Sequence, residues 1–178
     1  GDDCEVVRPP GGRLLQLLKT DCILEGVHFL RETAPERVGW KAMARAVSDM
    51  AAMAGTPRHA MVTVVLPPGL PVSHVEGIYQ GLRRCAERFG VSIVGGETSR
   101  GSQLIISVSL TGSVPAKRCV LRNGAKPGDA IHVTGRLGGS LSRPHLDFLA
   151  RIAEDQRLAT ELPLPCLLDL CDGISQGI

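Results

Sequence analysis

Aromatic side chains are scarce in this chain, which has one Trp, one Tyr and three Phe among its 178 residues. Proteins that bind single-stranded nucleic acid stack bases on aromatic rings, and the net charge of +2 offers little attraction for a phosphate backbone. We therefore expect no nucleic-acid partner. No apolar run reaches the roughly 18 residues of a membrane-spanning helix, and no signal peptide opens the sequence. We expect no membrane association either.

Paired cysteine motifs are missing as well. The six cysteines form no CxxC pair and have no neighbouring His partners, so they lack the spacing of a structural zinc site. We interpret them as reduced, small apolar side chains, which are typical of a cytosolic protein. The expected location is therefore the cytoplasm.

Two common phosphate-binding motifs are also absent. Neither a GxxxxGKS/T loop nor a GxGxxG that follows a strand occurs in the sequence. A bound nucleotide would therefore need metal ions held by acidic side chains, with Gly-rich backbone and Arg side chains contacting its oxygens.

Acidic residues, by contrast, recur beside small residues at the ends of apolar segments. The set comprises Asp3 in GDDC, Asp21 in KTDC, Asp49 in VSDM, Glu97 in GGET, and Asp169 and Asp172 in DLCDG. Hard cations prefer oxygen ligands, and magnesium in proteins usually takes one or two carboxylates together with phosphate oxygens. The recurrence predicts a magnesium–nucleotide site, in which Thr20 adds a hydroxyl ligand and the backbone at Gly96 contacts phosphate.

Each motif taken singly has a simpler interpretation, which the sequence leaves open. Asp49 lies late in an apolar helix, where the helix dipole disfavours an anion; it is either a solvated surface residue or a ligand that faces a cleft. Asp3 lies in an acidic stretch, and Glu97 follows two glycines that are typical of a tight turn. His28 is either a structural hydrogen-bonding residue or part of a site. Arg122 is either an exposed loop residue or a bidentate phosphate contact.

Apolar periodicity predicts strands and helices in alternation. Strands are expected at 13–20, at 22–29 with a bulge at Gly26, and at 60–66, 91–95 and 103–112; helices are expected at 36–54 and 72–89. This order indicates an α+β layered fold, with helices on one face of a mixed sheet. A turn at 126–129, a strand at 130–135 and a helix at 145–160 then begin a second unit. We expect an N-terminal domain at 1–114 and an incomplete second α+β domain at 115–178, and we interpret the chain as part of a longer protein.

Six motifs follow one another along the chain: GDDCEVV (1–7), KTDCILEGVHF (19–29), GWKAMARAVSDMAAMAG (39–55), VGGETSRG (94–101), LRNGAKPGDAIHVTG (121–135) and DLCDGI (169–174). In this order they resemble the thiamine-monophosphate kinase family, within the superfamily that includes aminoimidazole ribonucleotide synthetase and selenophosphate synthetase. EGVHF together with SDMAAMAG favours the kinases over their sister enzymes.

The resemblance implies direct transfer of the ATP γ-phosphoryl group to thiamine monophosphate, with no covalent nucleophile on the protein. It implies magnesium ligands at Asp3, Thr20, Asp21, Asp49, Glu97, Asp169 and Asp172. It implies ATP contacts at Tyr79, Gly96, Glu97, Arg122 and Cys171, with Tyr79 acting across a dimer interface. His28 matches a position that contacts the thiamine phosphate.

A homodimer is implied too, with the N-terminal sheets of two copies joined into a barrel and ATP near the interface. The strand at 103–112 is expected to need a partner on an exposed edge. Three positions depart from the family pattern: Lys19 replaces a Ser or Thr, Glu97 an Asp, and Cys171 a Ser. The alternatives are a related ATP-using synthetase of the same superfamily and a non-catalytic nucleotide-binding homologue.

Overall fold

The computed structural model describes residues 1–135 and 146–170. In these ranges the chain forms five strands and three helices, in the order β1 (Glu5–Val7), β2 (Leu14–Leu24), α1 (Pro35–Ala52), β3 (Thr56–Leu66), α2 (Val72–Arg88), β4 (Ser92–Arg100), β5 (Ile105–Pro115) and α3 (Ile152–Glu161). The prediction of a mixed α+β fold is confirmed.

The five strands form one sheet in the order β1-β2-β5-β3-β4. β3 pairs parallel with β4, whereas β1–β2, β2–β5 and β3–β5 are antiparallel. β5 is therefore an interior strand, and the expectation that it needs a partner on an exposed edge is wrong, because β2 and β3 occupy both of its edges. Among the described residues the free edges belong to β1 and β4, and β4 is exposed along almost its whole length.

β2 is a single long strand where the sequence predicts two. Its side chains alternate between the two faces of the sheet, and the alternation continues without a break past Lys19 and Asp21, which therefore lie on the same face as the buried leucines. The predicted bulge at Gly26 is wrong. The strand ends at Leu24, and Gly26 instead takes a φ of 78° in a turn closed by a 2.8 Å hydrogen bond from its N–H to the carbonyl of Phe29.

α1 and α2 pack against each other on one face of the sheet, where α1 contacts β2, β3 and β5 and α2 contacts β4. Pro35 occupies the first turn of α1, where its missing N–H costs no hydrogen bond. The two helices approach closely at Gly39 and Gly81. A Cβ at Gly39 would overlap the carbonyl oxygen of Ile78, and a Cβ at Gly81 would overlap that of Glu36. The helix pair therefore has little room to shift.

The chain after β5 takes a different course from the predicted one. The turn at 126–129 is present, closed by a 3.0 Å hydrogen bond from the N–H of Asp129 to the carbonyl of Lys126. The predicted strand at 130–135 is wrong, because this stretch pairs with none of the described strands and exposes Ile131 and Val133. An apolar run forms a strand only where it can pair with the edge of a sheet.

The predicted helix at 145–160 begins later, at Ile152. Residues 146–150 instead run along α1, where the carbonyl of Phe148 accepts a 3.0 Å hydrogen bond from Trp40 Nε1. Arg37 donates to the carboxylate of Asp147 at the same place. These contacts hold the last described segment against the helix that carries Asp49.

The two faces of the sheet differ in character. The face covered by the helices carries the core, which includes Leu17, Ile23, Val62, Val108 and Leu110. The opposite face is left uncovered by the described helices and exposes large apolar side chains on three strands: Leu14, Leu18, Met61 and Val94. None of the helices in the described ranges is long and apolar enough to cross a membrane.

Candidate functional site

The ion pair between Lys19 and Asp49 lies at the centre of the candidate site. Lys19 Nζ is 2.8 Å from Asp49 Oδ2, and the Asp49 side chain is only 6% exposed. Of the two interpretations of Asp49, the solvated surface residue is therefore excluded. Burial raises the pKa of Asp49, and the charges of Asp21 and Asp169 raise it further, while Lys19 opposes the rise. Burial works against the charged form of Lys19, but its contact with Asp49 outweighs burial and raises its pKa.

A second acidic residue of β2 has its own basic partner. The carboxylate of Asp21 lies 3.6 Å from a terminal guanidinium nitrogen of Arg45, on the facing turn of α1. Because Lys19 and Asp21 are two residues apart on one strand, both face α1. β2 and α1 thus present two carboxylates and two cations to each other.

Asp3 and Asp169 meet beside this pair, although they are far apart in sequence. The N–H of Asp169 donates to Asp3 Oδ2 at 3.4 Å, and Ser48 Oγ donates to Asp169 Oδ1 at 2.6 Å. Asp3 is buried, and Arg122 Nε lies 3.9 Å from its carboxylate. Burial raises the pKa of Asp3, whereas the charge of Arg122 and the hydrogen bond from the N–H of Asp169 oppose the rise; the carboxylate charge of Asp169 adds to it more weakly. Because Ser48 adjoins Asp49 in the chain, Asp3 and Asp169 lie next to the ion pairs of Asp49 and Asp21. These four carboxylates form one acidic cluster, which comprises Asp3, Asp21, Asp49 and Asp169.

The acidic cluster fits a hard cation in its chemistry, since all its donors are carboxylate oxygens whose mutual repulsion a divalent ion would relieve. The described side chains of the cluster do not form a complete metal-coordination sphere. Across residues 1–135 and 146–170, no three His, Cys, Asp or Glu side chains lie close enough together to hold a metal ion. Three basic side chains already pair with members of the cluster: Lys19 with Asp49, Arg45 with Asp21, and Arg122 with Asp3.

His28 lies in the turn that follows β2. Its Nδ1 accepts a 3.1 Å hydrogen bond from the N–H of Leu24, which leaves the proton on Nε2 when the ring is neutral. Burial and the positive charges of Arg45 and Lys41 lower its pKa. Lys41 is buried and donates to the carbonyl of His28, and burial together with Arg45 lowers the pKa of Lys41 to about 8. A buried lysine thus fixes the backbone of this turn.

Other residues predicted for the site lie away from the acidic cluster. Thr20 alternates with Lys19 and Asp21, so its hydroxyl lies on the opposite face, 3.3 Å from Ser109 Oγ. Strand register aligns Asp21 with Val108, Val108 with Val62, and Val62 with Gly96. Three strand spacings, or roughly 14 Å, therefore separate Asp21 from Gly96 within one copy of the chain.

Gly96 has a structural reason to be glycine, since a Cβ there would overlap the carbonyl oxygen of Val62 on β3. Glu97 is exposed on the edge strand, and its carboxylate accepts a 3.0 Å hydrogen bond from the N–H of Thr98. Tyr79 lies on α2, partly buried against the hydrophobic core. Cys171 and Asp172 lie outside the described residues.

One acidic residue beside the cluster is absent from the sequence predictions. Asp155, in the first turn of α3, is 7% exposed, and its Oδ1 has no hydrogen-bond partner among the described residues. Burial, with the charges of Glu154 and Asp169, raises its pKa to about 7. The signal available in the sequence was its helical spacing from the apolar residues Ile152 and Ala159, which places it on the inward face of the helix.

Comparison with known proteins defines the class first. The model of the family "AIR synthase related protein, N-terminal domain" matches residues 1–114. The chain therefore belongs to the AIR synthase related family.

Within that class the chain is similar to thiamine-monophosphate kinases. It is 44% identical to the enzyme of Aquifex aeolicus over 140 residues, which cover 79% of this chain and 44% of that protein. It is 37% identical to the enzyme of Rhodopirellula baltica over 183 residues, which cover 98% of this chain and 57% of that protein. The chain thus spans about half the length of the curated relatives it matches.

Solved structures agree with this similarity. A crystal structure of the Aquifex aeolicus kinase superimposes with a TM-score of 0.80 at 36% identity, over 88% of this chain and 59% of that chain. A structure described as AaThiL complexed with AMPPCP and TMP also gives a TM-score of 0.80, at 35% identity, over 89% of this chain and 56% of that chain.

Proposed function

We propose that this chain is the nucleotide- and metal-binding part of a thiamine-monophosphate kinase, which transfers the γ-phosphoryl group of ATP to thiamine monophosphate and releases thiamine diphosphate and ADP. The acidic cluster carries the proposal, because it brings together four carboxylates, two of them buried, to which the family resemblance assigns magnesium binding. The similar structure with AMPPCP and TMP bound supports these two substrates.

The cluster residues Asp3, Asp21, Asp49 and Asp169, together with Asp172, would hold magnesium. Bound magnesium would neutralise the charge of the transferring phosphoryl group. Arg122, at the margin of the cluster, would contact ATP, as would Tyr79, Gly96, Glu97 and Cys171. His28, with its Nε2–H free of the turn's own hydrogen bonds, would donate to the thiamine phosphate. The protein then acts by holding both substrates in line, and no side chain needs to form a covalent bond.

We further propose a homodimer, in which the uncovered sheet faces of two copies join as a barrel. That face carries a groove of about 450 Å³, lined in part by Leu18, Met61 and Val94. Exposed apolar side chains on three strands of one sheet face are a surface that a monomer rarely leaves open. Because neither Thr20 nor Glu97 reaches the acidic cluster of its own chain, their proposed roles in metal and ATP binding would depend on the second copy. Light scattering at micromolar concentration tests this, and a monomer contradicts it.

The division into a domain at 1–114 and a second domain from 115 onward belongs to the same proposal. So does the cytoplasm as its compartment, which the free cysteines at positions 4, 22, 85, 119 and 166 support.

The experiment is an ADP-release assay on the complete natural protein with ATP, magnesium and thiamine monophosphate. The parent protein should release ADP only when thiamine monophosphate is present. Asp49→Asn keeps the size of the side chain and removes its charge, and it should lower kcat by at least 100-fold with the fold intact. Glu87→Gln, an exposed change on α2, is the matched control. Binding of ATP without ADP release by the parent would instead identify a non-catalytic nucleotide-binding protein.

A further inference from the structure

Lys19 holds a position that is unusual for a lysine. Its ammonium group points from β2 into the acidic cluster, 2.8 Å from Asp49, and its side chain is only 22% exposed. Surface lysines keep the ammonium in water, and burial of the charge is costly without a close partner. The strand alternation leaves Lys19 no alternative, because Asp21 and the core leucines of β2 lie on the same face.

Lys19 also serves more than one carboxylate. Its charge acts on Asp49 and Asp21, and it acts on Asp3 as well. The other two basic groups of the cluster lie farther from their carboxylates: Arg45 is 3.6 Å from Asp21, and Arg122 is 3.9 Å from Asp3. Lys19 therefore makes the shortest of the three ion pairs, and it makes it with Asp49.

At this position the lysine ammonium offsets carboxylate charge as a bound metal ion would, but it can contact fewer ligands. It carries one positive charge on a covalent tether, so it stays near Asp49 at any concentration of free metal. Its ammonium group has three donors and no vacant coordination position, so it cannot take an oxygen from a second carboxylate and a phosphate in the way a divalent ion does.

We propose that Lys19 is a tethered cation that takes the place of one divalent ion at Asp49. The cluster accordingly binds one ion fewer than its carboxylates would otherwise hold, and the fold stays stable without metal. This inference rests on the proposed function only in assigning the acidic cluster to divalent ions.

The test counts bound Mn²⁺ by electron paramagnetic resonance, in parent protein and in Lys19→Thr. The threonine variant should bind one more ion per chain. Lys19→Arg keeps the charge and should match the parent. Lys117→Thr removes the same charge from an exposed position after β5 and should also match the parent. Equal numbers of bound ions in Lys19→Thr and the parent would overturn the proposal.

Thermal unfolding supplies a readout that does not depend on ion counting. Lys19→Thr leaves the buried Asp49 without its cation, so its melting temperature in EDTA should fall, and added Mg²⁺ should restore it by more than in the parent. If the variant is unfolded in EDTA and folds on addition of Mg²⁺, the result supports the proposal. Failure to fold in both conditions would contradict it. Absence of thiamine monophosphate turnover in the parent would count against the proposed function alone.

Discussion

Asp155→Asn should stabilise the protein at pH 8 and leave it almost unchanged at pH 5. The carboxylate of Asp155 is buried, one of its oxygens has no hydrogen-bond partner in the described part of the chain, and the charges of Glu154 and Asp169 repel it. Its pKa is raised from 3.8 to about 7, so the native state binds more protons than the unfolded state across that interval. The contribution of the neutral acid to stability is complete below pH 3.8 and is lost as the pH rises through about 7.

The size of the effect follows from the pKa difference. A rise from 3.8 to about 7 corresponds to at most about 4 kcal/mol of destabilisation above pH 7. At pH 5, which is closer to 3.8, the same relation gives a destabilisation of about 1.6 kcal/mol. A buried amide that lacks a full set of partners costs roughly 1–3 kcal/mol. The net gain from asparagine is therefore about 2 kcal/mol at pH 8 and close to zero at pH 5, which for a chain of this size is a melting-temperature rise of about 4–8 °C at the higher pH.

Differential scanning calorimetry at the two pH values measures this difference. Glu161→Gln, an exposed change at the other end of α3, removes the same charge and serves as the control. An equal gain at pH 5 and pH 8, or a loss at pH 8, would show that Asp155 is not buried as a raised-pKa carboxyl.

Three further outcomes are expected. Gly81→Ala should lower the free energy of unfolding by about 1–3 kcal/mol, because the new methyl group overlaps the Glu36 carbonyl where α1 and α2 meet. Urea unfolding measures this loss. Gly95→Ala is the control, because Gly95 has open space around it, whereas Gly69 is unsuitable because it has a positive φ of 80°. Lys41→Met should raise KM for thiamine monophosphate about tenfold with KM for ATP unchanged, since the His28 carbonyl loses its donor; an unchanged KM would remove Lys41 from the positioning of that turn. Because the pKa of Lys41 is lowered to about 8, parent stability relative to Lys41→Met should also rise between pH 8 and 10.5.

The arrangement of helices and strands was largely predictable, because it follows from local periodicity. The limits of β2 were not. The inner face of β2 carries Lys19 and Asp21 between apolar residues. This polar pair interrupts the apolar pattern, so the sequence predicts a break that the strand does not have. The interior position of β5 was also unpredictable, since the order of strands in a sheet depends on pairing between distant segments.

The acidic cluster was predictable from the sequence only in its members. Asp3, Asp21, Asp49 and Asp169 each lie where motif position suggested, but their basic partners come from three separate parts of the chain: β2, α1 and the loop after β5. The sequence does not predict Asp155 as a site residue, because a single aspartate in an amphipathic helix normally points to water. Burial in this case comes from packing of the 146–170 segment on α1, which no local pattern specifies.

The contact between Asp3 and Asp169 joins residues 166 positions apart in the chain. During synthesis the whole sheet, which ends at Pro115, leaves the ribosome several seconds before residue 169 does, at the usual rate of roughly 5–20 residues per second. A nascent chain can therefore assemble its core while Asp3 still lacks the backbone donor of Asp169 and Ser48 lacks its carboxylate. The acidic cluster is thus expected to be completed only after the sheet has formed, and changes in the 146–170 segment should delay competence to bind ligands without slowing formation of the sheet.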